Sequence, residues 1–137
     1  MLKEAKKFHG HLGPYLVLGI LAGELAIKRL RYKKYFGLNV KVWGATQKPK
    51  SCLIDGLQLS TGATYGKGNI RKLNGSAIKI EFCNRINHKK ITLRIKDNLL
   101  KRLKKTKTHI DSEVLARELY KTDYAKLFNL TPNTYNL

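Results

Sequence analysis

The sequence predicts an α+β domain: an N-terminal buried helix, a small and mostly antiparallel sheet, and C-terminal helices. Three observations carry the prediction. After His11, Leu16, Ile20, Gly23, Ile27 and Leu30 recur at three- and four-residue steps, the spacing of one helix face. Residues 77–83, "AIKIEFC", and 91–96, "ITLRIK", alternate apolar and polar as strands do. Beyond Asp97 the helical period returns with Leu99, Leu100 and Leu103.

Taken in order, Pro14 suits the first turn of a helix running to about Leu30, because its missing N–H has no intrahelical partner there in any case. Gly19, Ala22, Gly23 and Ala26 thin one side of that helix and let another backbone approach, at a cost of about 1 kcal/mol per glycine relative to alanine. Asn39 to Thr46 alternates as a strand before the break at Pro49. Cys52 to Leu59 reads as a short helix and Thr61 to Asn69 as a glycine-punctuated loop. "RINHKK" is a turn-sized connection between the two alternating strands, and Asp111 or Ser112 caps a last helix ending near Phe128. At 137 residues the chain fits one domain spanning 1–137, large enough to bury a core without staples.

Composition narrows the function classes. Two cysteines, Cys52 and Cys83, do not make a disulfide framework, and no leader-like segment precedes the first motif, so the chain reads as cytoplasmic. The longest apolar stretch, Tyr15 to Ile27, is shorter than the roughly 20 residues of a bilayer span and carries Glu24, which argues against the membrane. Twenty-eight Lys and Arg against nine Asp and Glu leave a formal charge of +19, a field that attracts polyanions or acidic partners. No nucleic-acid-binding module signature accompanies the charge, so nucleic acid stays a secondary expectation, placed on the basic stretch from Lys89 to Lys107.

Two stretches could carry chemistry. In "FHGHLGPY", His9 and His11 could present two imidazole nitrogens to a transition metal, or the following helix N-terminus could hold an anion. In "SCLIDGLQLSTGATYGKGNI", a helix from Cys52 places Cys52 and Asp55 three apart on one face and repeats the step at Gln58. A thiolate and a carboxylate sharing one cavity is the functional reading, and a buried structural cysteine with Asp55 capping backbone is the plainer one. "GATYGKGN" lacks the spacing of a phosphate loop, which argues against nucleotide hydrolysis, although Lys67 between two glycines could contact an anion.

The two stretches together resemble the formylmethanofuran dehydrogenase E-subunit family. The match rests on His9, Gly10, His11, Pro14, Gly19, Cys52, Asp55, Gln58, Thr61, Gly62, Thr64, Gly66, Lys67, Gly68 and Asn69 in order, over roughly residues 4–96, with a loosely similar helical tail from 97 to 137. The resemblance implies a homodimer with zinc or another transition metal held by His9, His11, Cys52 and Asp55. A substrate would then lie along Gln58, Thr61, Thr64, Lys67 and Asn69. It also implies an accessory or metal-dependent role beside the tungsten or molybdenum enzyme of one-carbon metabolism in methanogens. The sequence departs from the family's pattern where Gly13 and Ala63 stand in place of cysteines and Tyr15 in place of a glycine, and the family's C-terminal zinc module is not expected here. Losing thiolates weakens a zinc site. A reactive site with an open position and a degenerate site in a binding or assembly protein with an acidic partner therefore remain alternatives.

Overall fold

The computed structural model describes residues 1–133, and residues 134–137, the end of the expected helical tail, lie outside them. Along the chain run α1 (Leu2–His9), α2 (Pro14–Leu30), β1 (Leu38–Trp43), α3 (Cys52–Thr61), β2 (Ile70–Leu73), β3 (Lys79–Asn84), β4 (Lys90–Ile95), α4 (Asp97–Lys105), α5 (His109–Tyr120), α6 (Tyr124–Leu127) and β5 (Phe128–Asn133). The α+β class is observed.

The five strands form one sheet in the order β2-β1-β3-β4-β5. Only β1 and β2 are parallel, joined through α3, and the remaining pairs are antiparallel. Register aligns the inward side chains in rows: Ile70, Val40, Phe82 and Ile91 in one, and Val42, Ile80, Leu93 and Leu130 in the next. One face is thereby apolar and covered by helices. The other carries Lys79 over the Trp43 ring and Lys90 beside Glu81.

Helix α2 is the centre of the molecule, buried on nearly every side and packed on α3, α5, β3 and β4. Its small-residue side is where α3 lies. A Cβ added at Gly19 would fall well inside van der Waals contact of the Leu53 carbonyl, and one at Gly56 would do the same to the Leu16 carbonyl. Gly23 faces Ser60 and Thr61 in the same way. Successive residues of α2 thus meet successive residues of α3, so the two helices run parallel and begin at the same end. The Ser60 hydroxyl fastens the crossing, donating to the Gly56 carbonyl at 2.9 Å and reaching the Gly19 carbonyl at 3.3 Å.

Four differences from the sequence expectation have physical causes. Residues 2–9 form a helix, so His9 closes α1 rather than sitting in a loop; Gly10, at φ 103°, takes the left-handed turn that ends it. Ile70–Leu73, just past the expected Thr61 to Asn69 loop and given no element in the sequence, form a strand; only Ile70 is fully buried, which leaves no alternation to read. Helix α5 starts earlier than Asp111 or Ser112 would set it, because the Thr108 hydroxyl accepts from the Asp111 N–H at 3.1 Å. The tail is not all helix, since α5 stops at Tyr120 and Phe128–Asn133 form an edge strand. An edge tolerates Pro132, which has no N–H to give a further neighbour.

The Gly19–Gly56 approach leaves no room for a methyl group. Gly56→Ala should cost about 1–3 kcal/mol through overpacking, read as a lower denaturant midpoint with an unchanged slope. A wild-type midpoint would show that the two helices can separate without loss.

Candidate metal centre

The chain brings His9, His11 and Cys52 together from three segments. His9 ends α1, Gly10 reverses the chain, and His11 returns beside it with ring centroids 4.7 Å apart. Cys52 is the first residue of α3, and because α2 and α3 begin at the same end, it faces the histidines. One ligand atom from each of the three lies within 4.8 Å of the others.

Behind them stands a relay of hydrogen bonds. Asp55, one turn beyond Cys52, accepts from His9 Nδ1 at 2.6 Å. A carboxylate only accepts, so Nδ1 carries a proton, and in the neutral ring Nε2 keeps its lone pair. Gln58 Nε2 donates to the other Asp55 oxygen at 3.5 Å, and its Oε1 accepts from the Tyr65 N–H at 3.1 Å. Asp55, expected among the ligands, bonds His9 Nδ1 and stands outside the group of His9, His11 and Cys52 whose donor atoms lie together. His9 Nε2 is buried and has no hydrogen-bond partner among the described residues. Leaving such a group unsatisfied costs about 1–3 kcal/mol, and a cation on that lone pair would remove the cost.

The donor set fits a borderline transition metal: two imidazoles and a thiol, one imidazole already oriented by a carboxylate. Tetrahedral zinc with ordinary bond lengths sets its ligand atoms about 3.3–3.6 Å apart. Closing from within 4.8 Å asks for side-chain movement of about an ångström, and His11, which is exposed, has room for it. A Cβ at Gly13 would lie 3.4 Å from His11 Cε1, so a side chain there would adjoin this set. Ala63 is different. It lies past the C-terminal end of α3, about 15 Å of helix from Cys52 at about 1.5 Å per residue, so its side chain has no part in the set.

The donors open on a cleft of about 110 Å³ lined by His11, Cys52, Tyr15, Thr106, His109 and Ser112 among others. Partial burial, then the neighbouring His9 and His109, hold the His11 imidazole below its usual pKa. Burial, then the Asp55 carboxylate, push the Cys52 thiol up, against the pull of Lys48. Both effects favour the uncharged forms, and a bound cation would reverse the second by drawing the thiolate. His109, whose ring centroid is 5.6 Å from that of His11, was not expected here. It is a lone histidine about a hundred residues along the chain from its partner, and nothing local in the sequence marks it.

The expected substrate residues divide. Gln58 belongs to the relay. The Thr61 hydroxyl is buried and donates to the Leu57 carbonyl at 2.6 Å. Thr64 and Asn69 hold their own loop: Asn69 Oδ1 accepts from the Thr64 N–H at 2.9 Å, its Nδ2 donates to the Tyr35 carbonyl at 2.7 Å, and Thr64 Oγ1 accepts from the Lys67 N–H at 3.2 Å. The Lys67 ammonium lies over the Tyr35 and Phe36 rings. None of Thr61, Thr64, Lys67 and Asn69 lines the cleft.

Comparison with known proteins sets the chain beside a family model, a curated relative and a solved structure. The family model described as FmdE, molybdenum formylmethanofuran dehydrogenase operon, matches residues 8–133, and so runs on through the tail. A probable S-adenosyl-L-methionine-binding protein of Archaeoglobus fulgidus is 32% identical over 71 residues, which are 51% of this chain and 19% of that protein. The chain thus spans about a fifth of the length of this curated relative. The crystal structure of a tungsten formylmethanofuran dehydrogenase E-subunit (FmdE)-like protein from Syntrophus aciditrophicus shares the fold, with a TM-score of 0.71 at 19% identity over 98% of this chain and 71% of that one.

In metal-free protein, NMR titration should place the His11 midpoint below 6.5, and His109→Gln should move it upward by removing the imidazole whose charge lowers it. The unfolded chain binds that proton more readily than the folded one, so this group's contribution to stability falls as pH drops through 6.5. A midpoint unmoved in the variant would show that the two rings do not sense each other.

Proposed function

The chain belongs to the FmdE family, and on that premise we propose that it holds a divalent transition metal, zinc by preference, on His9, His11 and Cys52, and serves a metal-dependent or accessory role in one-carbon metabolism. The observation that carries this reading is His9: its Nδ1 is fixed by Asp55 and its Nε2 is buried without a partner beside a second imidazole and a thiol. A structural histidine would be expected to have both nitrogens satisfied.

The roles follow from placement. Asp55 orients His9 and raises the basicity of its Nε2, and Gln58, anchored on the Tyr65 N–H, holds Asp55 in turn. His11 and Cys52 complete three protein donors, leaving an open side toward the cleft, as a reactive site requires. A bound metal supplies Lewis acidity at that side. His109 and Ser112 then stand across the cleft, where they can hydrogen-bond a small polar ligand. The charge of +19 favours an acidic ligand or partner. The homodimer implied by the resemblance belongs to the same reading, and light scattering on the purified protein checks it.

Elemental analysis of untagged protein purified without chelator should find close to one zinc or equivalent ion per chain, with occupancy falling in Cys52→Ser. Asp55→Ala should keep all three donors yet weaken the metal by about 10- to 100-fold. Absence of metal in the wild type, even after reconstitution, would sink the reading and leave the alternative of a binding or assembly protein with a structural histidine pocket.

A further inference from the structure

At the opposite end of the α2–α3 pair from the cleft, where both helices stop, three loops meet. Residues 31–37 follow α2, residues 62–69 follow α3, and residues 85–89 join β3 to β4. Bonds between the loops fix them. Asn69 holds the Tyr35 carbonyl, Arg85 Nη1 donates to the Phe36 carbonyl at 3.3 Å, and the Arg85 N–H donates to the Gly37 carbonyl at 3.0 Å. Tyr35 is kept at φ 79°, a conformation uncommon outside glycine, with its ring against Gly62. The aromatic side chains here are nonetheless open to solvent: Tyr35 is 58%, Phe36 64% and Tyr65 47% exposed.

Each of these rings carries an ammonium group. Lys67 Nζ lies 5.5 Å from the Tyr35 centroid and 5.4 Å from that of Phe36, and Lys72 Nζ lies 5.8 Å from that of Tyr65. Residues 31–37, 62–72 and 84–89 contain eight Lys or Arg and no Asp or Glu, so the partner must bring the negative charge. A second copy of this chain meeting the same surface would set cations against cations.

We propose that this end is a platform for single-stranded nucleic acid, with bases stacking on Tyr35, Phe36 and Tyr65 and phosphates meeting Lys34, Lys67 and Lys72. Flat apolar faces alternating with cations match a strand that alternates bases and phosphates. Paired bases in a duplex do not offer their faces, and a bilayer interior does not satisfy ammonium groups held against rings. Of the expected basic stretch from Lys89 to Lys107, Lys89 alone belongs to this surface: the rest divides between β4, where Lys90 pairs with Glu81, and α4, where Arg102 pairs with Glu118.

Fluorescence anisotropy of the full chain with a labelled oligothymidylate tests the proposal. Binding should be evident at about 50 mM salt and fall steeply by about 200 mM, and a duplex of equal length should bind less tightly. Tyr35→Asn with Phe36→Ala should weaken binding about tenfold or more; asparagine tolerates the left-handed backbone, and Phe36→Ala alone decides the matter should the double variant unfold. Lys67→Gln should lessen the salt dependence by about one contact. No binding at low salt, affinity indifferent to loss of the rings, or capture by phosphatidylserine vesicles without binding of the oligonucleotide would each overturn it.

Discussion

Backbone-to-backbone contact between α2 and α3 is the constraint on which the remaining structure depends. Where Gly19 and Gly56 face each other, the carbonyls of Leu53 and Leu16 occupy the volume that side chains would fill. The glycines weaken both helices locally by about 1 kcal/mol each relative to alanine, a cost offset by the apolar burial that close approach permits. Residues of α2 on either side of the crossing, among them Leu16, Leu18 and Ile20, are fully buried, as are Leu53 and Leu57 of α3. Because the contact runs in parallel register, it also decides which ends coincide. Cys52 meets the His9–His11 turn for that reason, and the loops leaving the two helices meet for the same one.

Around the histidines, order is imposed by hydrogen bonds rather than by apolar packing. Gln58 is committed at both ends of its amide, Asp55 at both oxygens and His9 at one nitrogen. Free capacity collects at the inner nitrogen of His9 and the Cys52 sulfur, while His11 remains able to move. In the proposed site, one fixed donor and one adjustable donor would let an ion enter and the donors then close on it.

Legibility in the sequence followed the range of the interactions. Helix α2 was readable because its apolar period is local and long, and β3 and β4 because alternation survives wherever one sheet face is buried. The Cys52–Asp55–Gln58 spacing was readable because helix geometry alone puts those residues on one face. Helix α1 was not: Ala5 is its one fully buried residue, so no stripe marks it. Strand β2 commits little more than Ile70 to the core, and β5 contains a proline that only an edge position excuses. His109 meets His11 through the docking of α5 on α2, a contact without a local signature. Thr61, Thr64 and Asn69 read in sequence as ligand contacts because they are polar residues in or beside a glycine-rich loop, and in the fold their side chains hydrogen-bond α3, their own loop and the Tyr35 carbonyl.

The parallel register of α2 and α3 also gives the molecule an electrical polarity. Peptide dipoles of two helices laid side by side in the same sense add, placing partial positive charge where both begin and partial negative charge where both end. The basic residues Lys28, Arg29 and Arg31 gather at the carbonyl end of α2, where they offset that field. Cys52 sits at the opposite pole, in the first turn of α3, where this field opposes the burial and the Asp55 carboxylate that push its thiol up. A single crossing of glycines thus sorts charge as well as shape, setting the basic residues that close α2 at the end of the fold where its field favours them.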